Sequence, residues 1–209
     1  MPRTPRRYVF HPFDEKGTLD EKRLRKEYPE TWTWLKRHEE VLRARKTVKS
    51  GANPWWRPIR PREPEMLFRS KIVTPHLVIA PRFAWDESGR WAVSHSPYIV
   101  PKSPASPDEY LFLLAVLNST PCFWIISENA HNYSRGYSRL EVATLKNTPI
   151  PDSALMDPLL LREIIRLSTL RMSAMGNDAV EMNDLISERV AEAYNLSMKE
   201  RKIIGMVTI

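Results

Sequence analysis

The sequence predicts an α+β fold, with small antiparallel sheets around a buried apolar helix pair and further helices toward both ends. Three observations predict it. Residues 71–100 are rich in β-branched and aromatic side chains punctuated by turn signals. Tyr110 to Leu117 is almost wholly apolar, and a second apolar run, Phe123 to Ile126, follows a fresh helix start at Thr120-Pro121. Apolar residues recur at helical spacing between Leu19 and Arg45, and again from Pro158 to Tyr194.

In chain order, Met1 to Arg7 is a basic, proline-containing tail that reads as disordered. Tyr8 to Phe13 reads as a short strand, and Asp14-Glu15-Lys16-Gly17 as a turn. Leu19 to Arg45 is mostly helical, broken at Tyr28-Pro29, with Pro29 opening a second helix. Trp32, Leu35, Glu39 and Leu42 form one stripe of that helix. Lys36, Arg37, Arg43 and Lys46 lie opposite, as a solvated cationic face. Ser50 to Pro54 is a loop, and the prolines from Pro58 to Pro64 forbid a helix, so Arg57, Arg60 and Arg62 are offered from extended backbone.

Lys71 to Pro75 and His76 to Ala80 read as strands. Phe83 to Asp86 and Trp91 to Val93 flank Glu87-Ser88-Gly89-Arg90 as a hairpin, and Tyr98 to Val100 adds a strand, which makes residues 71–100 one small sheet. Ser106-Pro107-Asp108-Glu109 is a capping box that opens the apolar helix. Between His131 and Arg139, the large residues Tyr133, Arg135, Tyr137 and Arg139 alternate with small ones. In an extended chain all four share one face, and tyrosine–arginine alternation is poor core and good interface. Val142 to Asn147 is a short helix, stopped by Pro149 and Pro151. Helices follow over 158–175 and 180–194, broken at Gly176-Asn177-Asp178, and Ser197 starts a last one. These elements group as 1–50 (tail, short strand and first helices), 51–151 (the sheet and apolar helix pair) and 152–209 (a helical segment).

Charge is unevenly placed. The net charge is +7, with a pI near 9.6, which favours an anionic partner and nucleic acid first. From Lys36 to Lys71 there are 11 Lys or Arg and 4 Glu, whereas from Asp152 to Arg201 there are 9 acids and 6 bases. Trp55-Trp56 beside these arginines supplies what a phosphate and base surface needs, or else two core rings under exposed cations. The single Cys122 excludes an internal disulfide and a cysteine-based zinc site, and its apolar surroundings suit an inert buried thiol. No run of about 18 apolar residues suggests a membrane span. No apolar stretch follows the basic N-terminus to make a secretory signal, and a cytoplasmic location is expected.

The order of these pieces resembles the TaqI-like C-terminal specificity domain of adenine-specific DNA methyltransferases, found in type IIG restriction-modification enzymes and PglX-type phage-defence methyltransferases. Tyr28-Pro29, Trp34-Leu35 and Leu42 to Arg45 resemble its opening helix. Trp55-Trp56 and Arg60-Pro61-Arg62 match its aromatic and Arg-Pro region. Lys71 to Pro75 with Pro81-Arg82-Phe83-Ala84 match its "KI..P…PRFA" sheet, Leu113 to Ser119 its "LLxxLNS" helix, and Leu145 to Pro151 its closing "LK.LPIP". Val190 to Glu200 is similar to its terminal "Y.L..EE" helix. The resemblance spans roughly residues 8–204 and implies a target-recognition fold with its core at 51–151.

It further implies a sequence-specific DNA-binding subunit or fragment that serves an adenine-specific methyltransferase, with double-stranded DNA and a methyltransferase or restriction catalytic subunit as partners. The chain has no Asn-Pro-Pro-Tyr motif and no Gly-rich loop to hold S-adenosylmethionine, so that cofactor is expected on a partner and methylation is not assigned here. The short run before Tyr8 suggests a separately encoded specificity subunit or a fragment. Arg57, Arg60, Arg62, Arg69 and Lys71 would hold phosphates, with Trp55 and Trp56 stacking; His131, Asn132, Tyr133, Arg135, Tyr137 and Arg139 would approach base edges. The acidic C-terminal helices would dock on the catalytic subunit. Two alternatives stay open: a stand-alone DNA nuclease with an unrecognised metal site, or a protein-interaction subunit without DNA binding.

Overall fold

The computed structural model describes residues 10–14, 17–58, 68–91, 93 and 95–206. The fold is α+β, as the sequence predicts. The chain forms two compact units, 1–69 with 90–92 and 70–89 with 93–209. Core packing ties segments across positions 50 and 151.

The first unit opens with a hairpin of β1 (Phe13–Asp14) and β2 (Gly17–Thr18). Helices α1 (Glu21–Glu27), α2 (Pro29–Arg37), α3 (Glu39–Arg43) and α4 (Lys46–Lys49) follow. Asp20 caps α1 by accepting from the Arg23 amide at 2.7 Å, and Pro29 sits in the first turn of α2. Leu19, Leu24 and Leu35 are buried with Trp55 and Trp56, and Phe10, Trp32, Leu42 and Val48 pack against them. The tryptophans therefore complete a core begun at Leu19. Tyr8 and Val9 of the predicted first strand lie outside the described residues.

The second unit is built on α5 (Pro107–Asn118) and α6 (Thr120–Asn129), two helices meeting at a 64° bend. Ser106 and Glu109 form the expected capping box. Ser119 is fully buried at the bend; its hydroxyl donates to the Val116 carbonyl at 2.6 Å and accepts from the Cys122 amide at 3.4 Å. Neighbouring Asn118 reaches out of the helix. Its Oδ1 accepts from the Phe83 amide at 2.9 Å, and its Nδ2 donates to the Phe83 carbonyl at 3.0 Å and to the Leu114 carbonyl at 3.0 Å. One side-chain amide thus pairs with a loop residue as a strand would.

That loop leads into a sheet of order β5-β3-β6, comprising β3 (Lys71–Val73), β5 (Ala84–Asp86) and β6 (Tyr98–Ile99), all antiparallel. Gly89, at φ +66°, turns the chain after β5, and β5 pairs with β3. Residues 71–100 are also not one sheet. Strand β4 (Leu77–Val78) leaves to pair with β8 (Tyr137–Arg139), which pairs in turn with β7 (His131–Tyr133). The β-branched content that predicts strands carries no information about which partner each takes.

Helix α7 (Val142–Lys146) precedes α8 (Pro158–Ser173) and α9 (Gly176–Ala193), which pack on each other and on α5. Gly176, read as a helix break, begins α9 at φ +59° instead. The Ser168 hydroxyl donates to the Leu111 carbonyl at 2.8 Å, and the Ser187 hydroxyl accepts from the Thr120 amide at 3.0 Å. Helix α10 (Met198–Ile203) closes the chain on a Ser197–Glu200 capping box. The Tyr194 hydroxyl donates to the Pro149 carbonyl at 2.7 Å, tying the proline stop to the end of α9. No single helix is long and apolar enough to cross a membrane among the described residues.

Lys71 and Asp86 stand opposite each other across β3 and β5, with Nζ 2.6 Å from Oδ2 and both side chains buried. A buried charge stripped of its partner costs about 3–5 kcal/mol, while replacing both with apolar groups is often close to neutral. Lys71→Met and Asp86→Leu should each lower stability by about that amount, and the double variant should recover most of it. Urea unfolding of the four chains measures the cycle.

Candidate nucleic-acid interface

Strands β7 and β8 form an antiparallel hairpin around the turn Ser134–Gly136, in the register His131↔Arg139, Asn132↔Ser138 and Tyr133↔Tyr137. Residues directly opposite share a face, and alternate residues on a strand share it too. His131, Tyr133, Tyr137 and Arg139 therefore stand together on one face, and all four are exposed. Leu77 of β4, paired with Arg139, joins them. Ser138 and Val78 turn to the other face and are buried. Asn132 shares that inward side by register but remains exposed at the sheet edge.

The alternation read from the sequence survives in altered form. It is folded back on itself, so the tyrosines face each other across two strands. Arg135 does not join that row. It sits in the turn at φ +63° and ψ +32°, followed by Gly136 at φ +76°. A left-handed conformation costs a residue with a Cβ about 1–2 kcal/mol. Here it places an exposed guanidinium at the tip of the hairpin.

Arg139 is the best-supported cation of this face. Its Nε lies 3.0 Å from His76 Nε2 and 3.1 Å from Glu141 Oε1. The His76 backbone carbonyl accepts from the Leu140 amide at 2.8 Å, which holds the His76 main chain beside the strand. His76 lies 63 residues before Arg139 and nothing in the sequence links them, whereas the Arg139-x-Glu141 spacing is a visible signal.

The other predicted contacts are distributed differently. Trp55 and Trp56 are buried, 7% and 6% exposed, so they do not present stacking faces. Trp55 packs against Trp32 at 5.3 Å, with Lys36 and Arg43 lying over its ring. The cationic face of α2 and α3 is in part spent covering this core. Glu39 bridges Lys36 and Arg43, and hydrogen bonds from Lys36 and then Arg43 hold its carboxyl below the usual range. Lys71 is likewise withdrawn, buried against Asp86, and is not a phosphate ligand in this fold. Arg57 is half-buried, its guanidinium 6.0 Å from the Phe13 ring, and Arg69 is exposed. Arg60 and Arg62 lie outside the described residues. Cys122 is fully buried, and burial pushes its thiol up to about 11, against a lowering contact from the Tyr194 hydroxyl. Among the described residues no three His, Cys, Asp or Glu side chains are grouped to hold a metal ion.

The turn makes a direct stability test. Gly136 has open space where a Cβ would stand, so a substitution meets only backbone strain. Gly136→Ala should cost about 1–2 kcal/mol, read as a lower urea midpoint with an unchanged slope.

Comparison with known proteins adds an independent line. No family model matches this chain. It is 22% identical over 201 residues to the type II methyltransferase M.BstVI of Geobacillus stearothermophilus, covering 95% of this chain and 32% of that protein. It is 26% identical over 128 residues to the type II methyltransferase M.BanIII of Aneurinibacillus aneurinilyticus, covering 60% of this chain and 22% of that protein. The chain thus spans about a third or less of the length of these curated relatives, and its similarity to these type II methyltransferases is a distant one.

Proposed function

We propose that this chain is the target-recognition part of an adenine-specific DNA methyltransferase system, acting in restriction-modification or phage defence. It binds double-stranded DNA by sequence and leaves bond making, and S-adenosylmethionine, to a catalytic partner. The observation that carries this reading is the exposed β7–β8 face, where Tyr133, Tyr137, His131 and Arg139 converge with Arg135 at the tip. Two aromatic rings and two guanidiniums held out from a rigid sheet suit a DNA groove better than a protein core. A two-stranded ribbon fits the major groove, where arginine pairs bidentately with guanine. The distant homology to type II methyltransferases, running along 95% of this chain, supports the same assignment.

Affinity in this reading comes from exposed cations such as Arg69, with Arg57, Arg60 and Arg62 as further candidates, and specificity from the hairpin. Helices α8 to α10, the acid-rich segment, are assigned to the catalytic partner.

The test is binding of the purified chain to a randomised duplex pool at several salt concentrations. Affinity should fall with salt, with a log–log slope of about −0.9 for each phosphate neutralised. Arg135→Ala and Arg139→Ala should each relax preference at one position by about tenfold or more while leaving the salt slope nearly unchanged. Salt-independent failure to retain duplex DNA would refute the reading and favour an interaction subunit.

A further inference from the structure

The Arg139 guanidinium has two usable edges. Its end carries the paired Nη1 and Nη2 groups, and its side carries Nε with one Nη. The side is engaged: Nε donates to His76 Nε2 at 3.0 Å and lies 3.1 Å from Glu141 Oε1. Among the described residues no hydrogen bond engages the Nη groups, and the side chain is 48% exposed. An arginine on an open strand ordinarily loses rotamer freedom when it binds, an entropic cost that opposes binding. Two partners at Nε remove part of that freedom beforehand and choose which edge faces outward.

We infer that His76 and Glu141 are positioning residues that present the end-on Nη1/Nη2 fork of Arg139 to the major-groove edge of a guanine. This inference rests on the target-recognition reading above. His76 is suited to the task by its placement. It lies between β3 and β4, where the chain passes from one sheet to the other, and its own carbonyl is bonded to the Leu140 amide at 2.8 Å. The His76 main chain is therefore tied to the end of β8. For Nε2 to accept, the ring must carry its proton on Nδ1, and that nitrogen is buried without a hydrogen-bond partner among the described residues. An unsatisfied polar atom beside the reading face is a cost to the fold. The Arg139 contact is what it supports. Glu141 supplies the opposite charge that keeps the guanidinium from swinging toward phosphates, so Arg139 reads a base and does not act as a general anchor.

The roles separate in a selection experiment on the full chain with a randomised duplex DNA pool. Wild-type protein should enrich guanine at one position that Arg139→Ala abolishes. His76→Ala and Glu141→Gln should weaken enrichment at that same position about tenfold, with overall affinity and salt slope close to wild type. His76→Gln, whose Oε1 can accept from Nε, should restore it. Thermal unfolding of each variant confirms that a folded chain was compared; Glu141→Gln, a nearly isosteric change, serves where His76→Ala fails to fold. Enrichment unaffected by His76→Ala or by Glu141→Gln in folded protein would overturn the positioning role and leave target recognition standing. A uniform loss of affinity without change of preference would overturn it as well, because it would make Arg139 a phosphate contact. No sequence preference in the wild-type chain would overturn both readings.

Discussion

The fold turns on one side chain at the bend between two apolar helices. Helix α5 must end where α6 begins, because Ser119 caps the new helix from a fully buried position. Asn118 is left as the last residue of α5, and its amide satisfies both backbone groups of Phe83. An amide side chain has an acceptor and a donor at peptide spacing, so it can pair with an extended residue as another strand would. This ties the loop before β5 to the helix core, and with it the β3–β5–β6 sheet. Asparagine is the residue that can do this here. Aspartate offers no donor, and glutamine is one methylene too long to hold the same geometry against Leu114.

Local chemistry was legible in the sequence; pairing was not. Ser106-Pro107-Asp108-Glu109, the helix start at Ser197, and the break at Tyr28-Pro29 all fold as read, because each is settled within one helical turn. The apolar helix pair was legible for a similar reason, its burial being written in an unbroken apolar run. Strand partners were not, since Leu77-Val78 looks like any β-rich dipeptide whether it pairs with its neighbours or with residues 60 positions later. Lys71 is the sharpest case. A lysine in a basic stretch reads as exposed, and only the register opposite Asp86 explains its burial.

The site shows the same division. That Tyr133, Tyr137 and Arg139 share an exposed face follows from alternation, and alternation is visible. The reversal at Arg135 was hidden, because an arginine with positive φ contradicts its own preference and is held there by the strands on either side. Trp55 and Trp56 were legible only as a choice between stacking surface and core. Leu24 and Leu35 decide it, because their buried side chains pack in one cluster with both tryptophans.

Strand β8 lies between β4 and β7, so its backbone is bonded on both sides. Its inward residue, Ser138, is small and buried. The ladder therefore owes little to Tyr137, Arg139 or their neighbours across the hairpin. Those outward side chains are free to drift by mutation while the sheet persists beneath them. A chain built this way can acquire a new preference by changing a handful of letters in one nine-residue segment, and lineages that share the scaffold need share none of its outward letters.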